Sequence, residues 1–220
     1  MKKYSILIVL LIFSCSIEQK NFELSGKIDG LNSEKIYLLE SNSIILDSTK
    51  IDDSSSFTLK CYIEEPQILT LRLGKSDTNQ ANFFAETGTM TLSTTSKRFQ
   101  FDAQFSGSKQ QSNLDEFNSY LIKFEEEDLD LLETQIQQSI IGNQKEIDSI
   151  SILREKLEKR KNLFIVNYIS NNSKEIISPY LALKYNKEIK SNYLTKIYNS
   201  YNKEISESKY GIKLKKILKK

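Results

Sequence analysis

The chain has 220 residues, 39% apolar and 27% charged, which is enough for one or two domains with real cores and too apolar for general disorder. Its 31 basic residues less Lys2 and Lys3, which fall in a segment expected to be removed, leave 29 against 29 acidic ones, a balance that argues against a nucleic-acid binder. There is no histidine and there are only two cysteines, which excludes histidine-based catalysis, histidine-held zinc or haem, a histidine pH switch and a four-cysteine metal site.

Met1-Lys2-Lys3 is a short basic start, and Ile6 to Phe13 is an unbroken apolar run ending at Ser14-Cys15. A membrane-spanning helix needs roughly 20 apolar residues, so this run reads as an export signal. Ile12-Phe13-Ser14-Cys15 resembles a lipobox, the site where bacterial lipoproteins are acylated on cysteine and cleaved just before it. Each buried CH2 is worth about 0.8 kcal/mol and one acyl chain holds only marginally, so two or three on Cys15 would make attachment permanent. The competing reading takes Ser14 and Ser16 as a small-x-small site, with cleavage before Ile17 and release of a soluble protein. The expected layout is a signal peptide over 1–14, a lipidated tether over 15–20, a β domain over 21–109 and a helical domain over 110–220.

From Asn21 to Gly107 the pattern predicts about eight short strands: Phe22 to Ile28, Lys35 to Leu39, Ile44 to Ile51, Phe57 to Ile63, Ile68 to Leu73, Asn82 to Glu86, Thr89 to Ser93 and a last one carrying Phe99, Phe101, Ala103 and Phe105 on one face. Asp52 to Ser56 and Thr87-Gly88 have turn composition. Strands of this length and spacing suggest an antiparallel β-sandwich or open barrel, with the alternating aromatics in its core.

After Gly107 the period changes to three and four. Ser112-Asn113-Leu114-Asp115 resembles a capping box. One apolar stripe, Leu114, Phe117, Leu121 and Phe124, slips at Glu125–Asp128 to another, Leu129, Leu132, Ile136 and Ile140, which predicts a bend or repacking there. Gly142-Asn143 breaks the helix, and a second runs from Lys145 to Asn171 with Ile150, Leu153, Leu157, Phe164 and Tyr168 inward. So short a link predicts an antiparallel hairpin. Ser178-Pro179 is expected to start a third helix, Ser191 to cap a fourth using Leu194, Ile197, Tyr201 and Ile205, and Tyr210 to Lys220 to form a last short one. The fold class is therefore α+β, segregated.

Few residues are chemically suggestive. Phe57, Leu59, Cys61 and Ile63 share a strand face, so Cys61 reads as a buried free thiol. The acidic run Glu125 to Asp128 lacks the alternating ligands and turn glycine of a calcium loop and reads as solvated surface. Six lysines and no acids lie between Lys209 and Lys220; near an anchor they could touch anionic headgroups, but cations suiting a helix C-terminus are the simpler account. Asp47-Ser48-Thr49 and Asp148-Ser149-Ile150 resemble a short O-glycosylation acceptor of exported Bacteroidetes proteins. Neither a phosphate-cradling glycine loop nor a nucleophile elbow is present.

The order of short motifs is distinctive: Phe22-Glu23-Leu24-Ser25-Gly26-Lys27-Ile28-Asp29-Gly30-Leu31, Lys35-Ile36-Tyr37-Leu38, Leu46-Asp47-Ser48-Thr49, Phe57-Thr58-Leu59, Phe84-Ala85-Glu86-Thr87-Gly88 and Phe105-Ser106-Gly107-Ser108. Over about 21–117 this resembles the DUF4369 domain, a β-rich module of Bacteroidetes lipoproteins, and the helical stretch down to Lys209-Tyr210-Gly211 resembles what usually follows it. The module often precedes a thioredoxin-like domain; that domain is expected to be absent here, and without a CxxC motif no redox activity is implied. Relatives usually place a glycine before the aromatic in the stretch that here reads Asp53-Ser54-Ser55-Ser56-Phe57. The resemblance implies no catalytic residues.

Together these readings predict a non-enzymatic binding or scaffolding lipoprotein of the bacterial envelope, in the outer membrane and facing the periplasm or cell surface. Its expected partners are the bilayer, through acylated Cys15, and an envelope protein; no catalytic, cofactor or metal residues and no nucleic acid are expected. The alternative is an accessory to a thiol-disulfide or peroxiredoxin-type system, with a thioredoxin-like partner supplied in trans. An enzyme using carboxylates would need a pocket joining two of them with shifted pKa values.

Overall fold

The computed structural model describes residues 20–31, 33–40, 44–75 and 78–219; the expected signal peptide and Cys15 lie outside them. Eight strands form two four-stranded sheets: β1 (Phe22–Asp29), β2 (Lys35–Glu40), β3 (Ile44–Lys50), β4 (Ser56–Cys61), β5 (Gln67–Leu73), β6 (Gln80–Ala85), β7 (Gly88–Thr95) and β8 (Gln104–Ser106). The orders are β4-β1-β7-β8 and β3-β2-β5-β6. All pairings are antiparallel except β1 with β7, which run parallel with Leu24 opposite Met90. That parallel pair departs from the expected antiparallel pattern, and it arises because the Thr87-Gly88 turn carries the chain from one sheet to the other instead of closing a hairpin.

Period-two alternation fills the space between the sheets. Leu24 and Ile28, Ile36 and Leu38, Phe57 and Leu59, Leu69 and Leu71, Phe83, and Met90 and Leu92 form one buried cluster. Gly26 is required inside it, since a Cβ there would lie 2.6 Å from Cε1 of Phe57. The sheets are joined along one side by a side chain. Asp47 on β3 accepts from the Lys60 N–H of β4 at 2.8 Å and from the Ser48 N–H at 2.8 Å, supplying the edge strand with an acceptor. On the other side Phe83 stacks on Phe105 at 4.5 Å.

Six helices follow: α1 (Lys109–Ile140), α2 (Gln144–Asn171), α3 (Ile177–Lys184), α4 (Ser191–Asn199), α5 (Lys203–Glu207) and α6 (Lys209–Leu218). They dock on the outer face of β5 and β6. Phe84 points away from the sandwich into a second core with Leu114, Phe117, Ile165, Ile177, Leu181 and Leu214.

Several expectations are corrected by side-chain hydrogen bonds. The last strand is only three residues long, because 96–102 is a turn: the Thr94 hydroxyl donates to the Phe99 carbonyl and that of Thr95 to Asp102, which favours local structure over a ladder. Phe99 and Phe105 are still buried, but Phe101 is 80% exposed. Helix α1 begins four residues early, capped by the Ser108 hydroxyl accepting from the Gln111 N–H; Ser112 lies inside the helix and bonds back to the Ser108 carbonyl. The helix continues without a break through Glu125–Asp128. Asp128 and Gln135 face α2, where Arg154 binds both, so Leu129, Ile136 and Ile140 are turned to solvent. Leu153 is exposed for the same reason, whereas Ile150 and Leu157 are buried. Ser178 is within α3, its hydroxyl donating to the Ile169 carbonyl, and neither α3 nor α4 has a side-chain cap.

Candidate functional site

The junction between sheet and helices is the chemically densest region. Glu86, which follows β6, accepts from the Ser108 hydroxyl at 2.7 Å and the Gln110 N–H at 2.9 Å. Buried Gln110 in turn accepts from the Ile177 N–H and donates to Glu175, and buried Gln111 accepts from the Phe84 N–H at 2.6 Å. Burial opposes the charge of Glu175, but the hydrogen bonds from Lys109 and Gln110 outweigh it and hold the carboxyl below its ordinary range. These contacts satisfy the exposed edge of β6 and the ends of α1 and α3 at once. They also give the Phe84-to-Gly88 and Phe105-to-Ser108 motifs a structural task. Gly107 holds φ +101, and a Cβ there would sit 2.5 Å from the Thr89 carbonyl oxygen.

On the far side of the same junction is a groove of about 700 Å³ lined by Glu40, Tyr62, Ile63, Glu64, Glu65, Gln67, Glu207, Lys209 and Ile212. Lys209 organises it, donating through Nζ to Glu40 and Gln67 and through its N–H to Glu65 at 2.6 Å. Beside it, the Tyr210 hydroxyl accepts from the Ile68 N–H at 2.8 Å, and burial pushes its pKa up to about 12. Gly211 lets α6 turn against the Ile205 and Ser206 carbonyls, where a Cβ has no room. Of these residues the sequence pointed only to Lys209-Tyr210-Gly211 as a motif; the pairing with Glu40 and Glu65 spans 169 and 144 residues and leaves no local signal.

Cys15 lies outside the described residues. Cys61 is buried at the end of β4 opposite Phe22, and burial, reinforced by the nearby Asp47 carboxylate, pushes its thiol up to about 11, the opposite of a reactive cysteine. The acidic run is more engaged than expected: Asp128 makes a two-pronged pair with Arg154 at 2.7 and 2.9 Å, and Glu127 pairs with Arg160. Of the glycosylation candidates, Ser48 lies on β3, half-buried beside the structural Asp47, while Ser149 is on α2 and donates to the Lys145 carbonyl. Among the described residues no three of His, Cys, Asp or Glu are grouped so as to hold a metal ion, and no helix is long and apolar enough to cross a membrane.

Comparison with known proteins adds one result. No curated protein and no solved structure matches the chain. The family model described as "Domain of unknown function (DUF4369)" matches residues 22–114, which run from the first residue of β1 into the first turns of α1. The quoted motifs within that span are the ones that close the sandwich, join the sheets and cap α1, so the β-rich part of this chain is a DUF4369 domain.

Proposed function

We propose that the protein is a lipid-anchored, non-enzymatic binding module of the bacterial envelope, held at the membrane by acyl chains on Cys15. The address rests on the basic start, the apolar run and Ile12-Phe13-Ser14-Cys15. The binding role rests on one observation. Beyond Leu121, α1 continues for about 30 Å alongside α2, and this two-helix arm presents Leu129, Ile136, Ile140, Ile141, Ile152 and Leu153 to solvent. We take these exposed apolar side chains, set on an otherwise charged arm, as the place where another protein docks.

Two measurements test the reading. Intact mass of the protein from membranes should show acyl chains on a chain beginning at Cys15, absent in Cys15→Ala; an unmodified chain beginning at Ile17 removes the anchor. A photo-crosslinker at Ile136 should give a discrete heterologous adduct in cells that disappears in Leu129→Asp. Crosslinks only to a second copy, or none, remove the partner-binding role. An adduct with a thioredoxin-like protein would favour the accessory role in a thiol-redox system.

A further inference from the structure

The point where the tether leaves the fold and the outward face of α6 lie at the same end of the molecule. Asn21 is fixed to the β4 end: its N–H donates to the Cys61 carbonyl at 3.2 Å, its Nδ2 to the Ile63 carbonyl at 2.7 Å, and its Oδ1 accepts from the Ile63 N–H at 2.8 Å. Tyr62 and Ile63 line the groove that Lys209 and Ile212 of α6 also line. Helix α6 buries Tyr210, Gly211 and Leu214. Its period places Ile212, Lys216 and Lys219 on the opposite side with Lys213 and Lys215 flanking them, all exposed.

Two features go beyond what a helix C-terminus requires. Cations in the last turn would suit the helix dipole wherever the helix pointed. Here Ile212, 44% exposed, shares their helix face and lines one groove with Tyr62, 54% exposed, which adds the aromatic and aliphatic mixture suited to a membrane interface. The charge at this end is also one-sided. Lys209 Nζ pairs with Glu40 and its backbone N–H binds Glu65, so Glu64, Glu65 and Glu207 remain as charges against Lys20 and four lysines of α6.

We propose that this end of the molecule is a membrane-facing surface, with Lys213, Lys215, Lys216 and Lys219 against the phosphates of anionic lipids and Tyr62 and Ile212 at the level of the headgroups. The inference rests on the acylation of Cys15 proposed above. Asn21 lies six positions after Cys15, so an extended tether reaches at most about 20 Å and keeps this end beside the bilayer. The lysine stems can lie along the interface while their ammonium groups stay in water. The acyl chains then supply attachment and the α6 face supplies orientation.

The test is amine-reactive footprinting of the full protein, as isolated from membranes, in vesicles of phosphatidylcholine alone and of phosphatidylcholine mixed with phosphatidylglycerol. Labelling of Lys213, Lys215, Lys216 and Lys219 should fall about fivefold or more on the anionic vesicles and recover at high ionic strength. Lys145, Lys156 and Lys159 on the arm should label equally on both. Equal labelling of the α6 lysines on the two vesicle types overturns the surface. Intact mass of the same sample separates the two ideas. Acyl chains without protection sink the surface alone; protection without acyl chains sinks the anchor and keeps the surface; neither sinks both. In a K213Q, K215Q, K216Q and K219Q variant, any lipid-dependent protection of Lys20 should vanish, whereas its persistence would place the electrostatic contact elsewhere and count against α6.

Discussion

Phe83 and Phe84 are neighbours on β6, both 0% exposed, and they belong to different cores. Phe83 stacks on Phe105 between the sheets, while Phe84 meets Tyr180 and Tyr210 edge-on at 5.4 and 6.1 Å among the helices. Truncating Phe84 to Ala should therefore loosen the helices from the sheet and leave the sandwich filled. Buried Phe→Ala changes cost about 3–5 kcal/mol, and because Tyr180 is only half-buried and free to relax into the space, a value of about 3 kcal/mol is expected. Phe84→Leu, which keeps most of the volume, should cost about 1.5 kcal/mol or less. Two probes followed through a urea titration separate the parts: far-ultraviolet circular dichroism follows helix, and labelling of buried Cys61 follows opening of the sandwich. The transitions should coincide in the parent chain. In Phe84→Ala helix loss should come first, and in Phe83→Ala the Cys61 transition should move at least as far as the helical one. A cost below about 1 kcal/mol for Phe84→Ala, the range of a surface change, would refute the shared core.

Further outcomes follow from the same geometry. Asp47→Ala removes the acceptor for the Lys60 N–H and should cost about 1–2 kcal/mol, with hydrogen exchange at the Lys60 amide accelerating more than at the neighbouring β1–β4 ladder amides. Ser55 holds φ +64 in the turn before Phe57, so Ser55→Gly should stabilise by about 0.5 kcal/mol, read as a higher urea midpoint; a lower midpoint would mean that Asp52, which accepts from the Ser54 and Ser56 N–H groups, already relieves the strain. Gly107→Ala should cost about 2 kcal/mol or more, because the methyl group meets the Thr89 carbonyl with no flexible side chain able to yield. The Cys61 thiol keeps its proton in the fold up to about 11 and loses it near 9 when unfolded, so stability should fall between pH 9 and 11 and do so less in Cys61→Ala; equal pH profiles would show that the thiol contributes nothing.

The change from a period of two to a period of three and four, near Gly107, was legible because each period reports which side of its own element is apolar. That alone divides the chain into a β-rich and a helical part, and the motif order from Phe22 to Ser108 was enough to recognise the family. Residues 12–15 carry the proposed address in the same direct way, since a lipobox is read by enzymes as a linear peptide.

Wherever a polar side chain rather than an apolar face decided the outcome, local pattern was misleading. Ser112-Asn113-Leu114-Asp115 has the composition of a cap, yet Ser108 caps α1, its hydroxyl held by donating a hydrogen bond to Glu86 from the β-rich part. Leu129, Ile136 and Ile140 have core spacing, yet Arg154 bound to Asp128 and Gln135 rotates the polar face of α1 inward and turns those residues to solvent. The candidate sites divide in the same way. A lysine run can be seen in sequence, but its meaning depends on what lies beside it, and Lys209 reaches Glu40 and Glu65 only after more than a hundred residues have folded between them. Periodicity tells which residues of an element can be buried; the partner that buries them, and the end of the molecule where the remaining charges gather, is set by contacts between elements far apart in the chain.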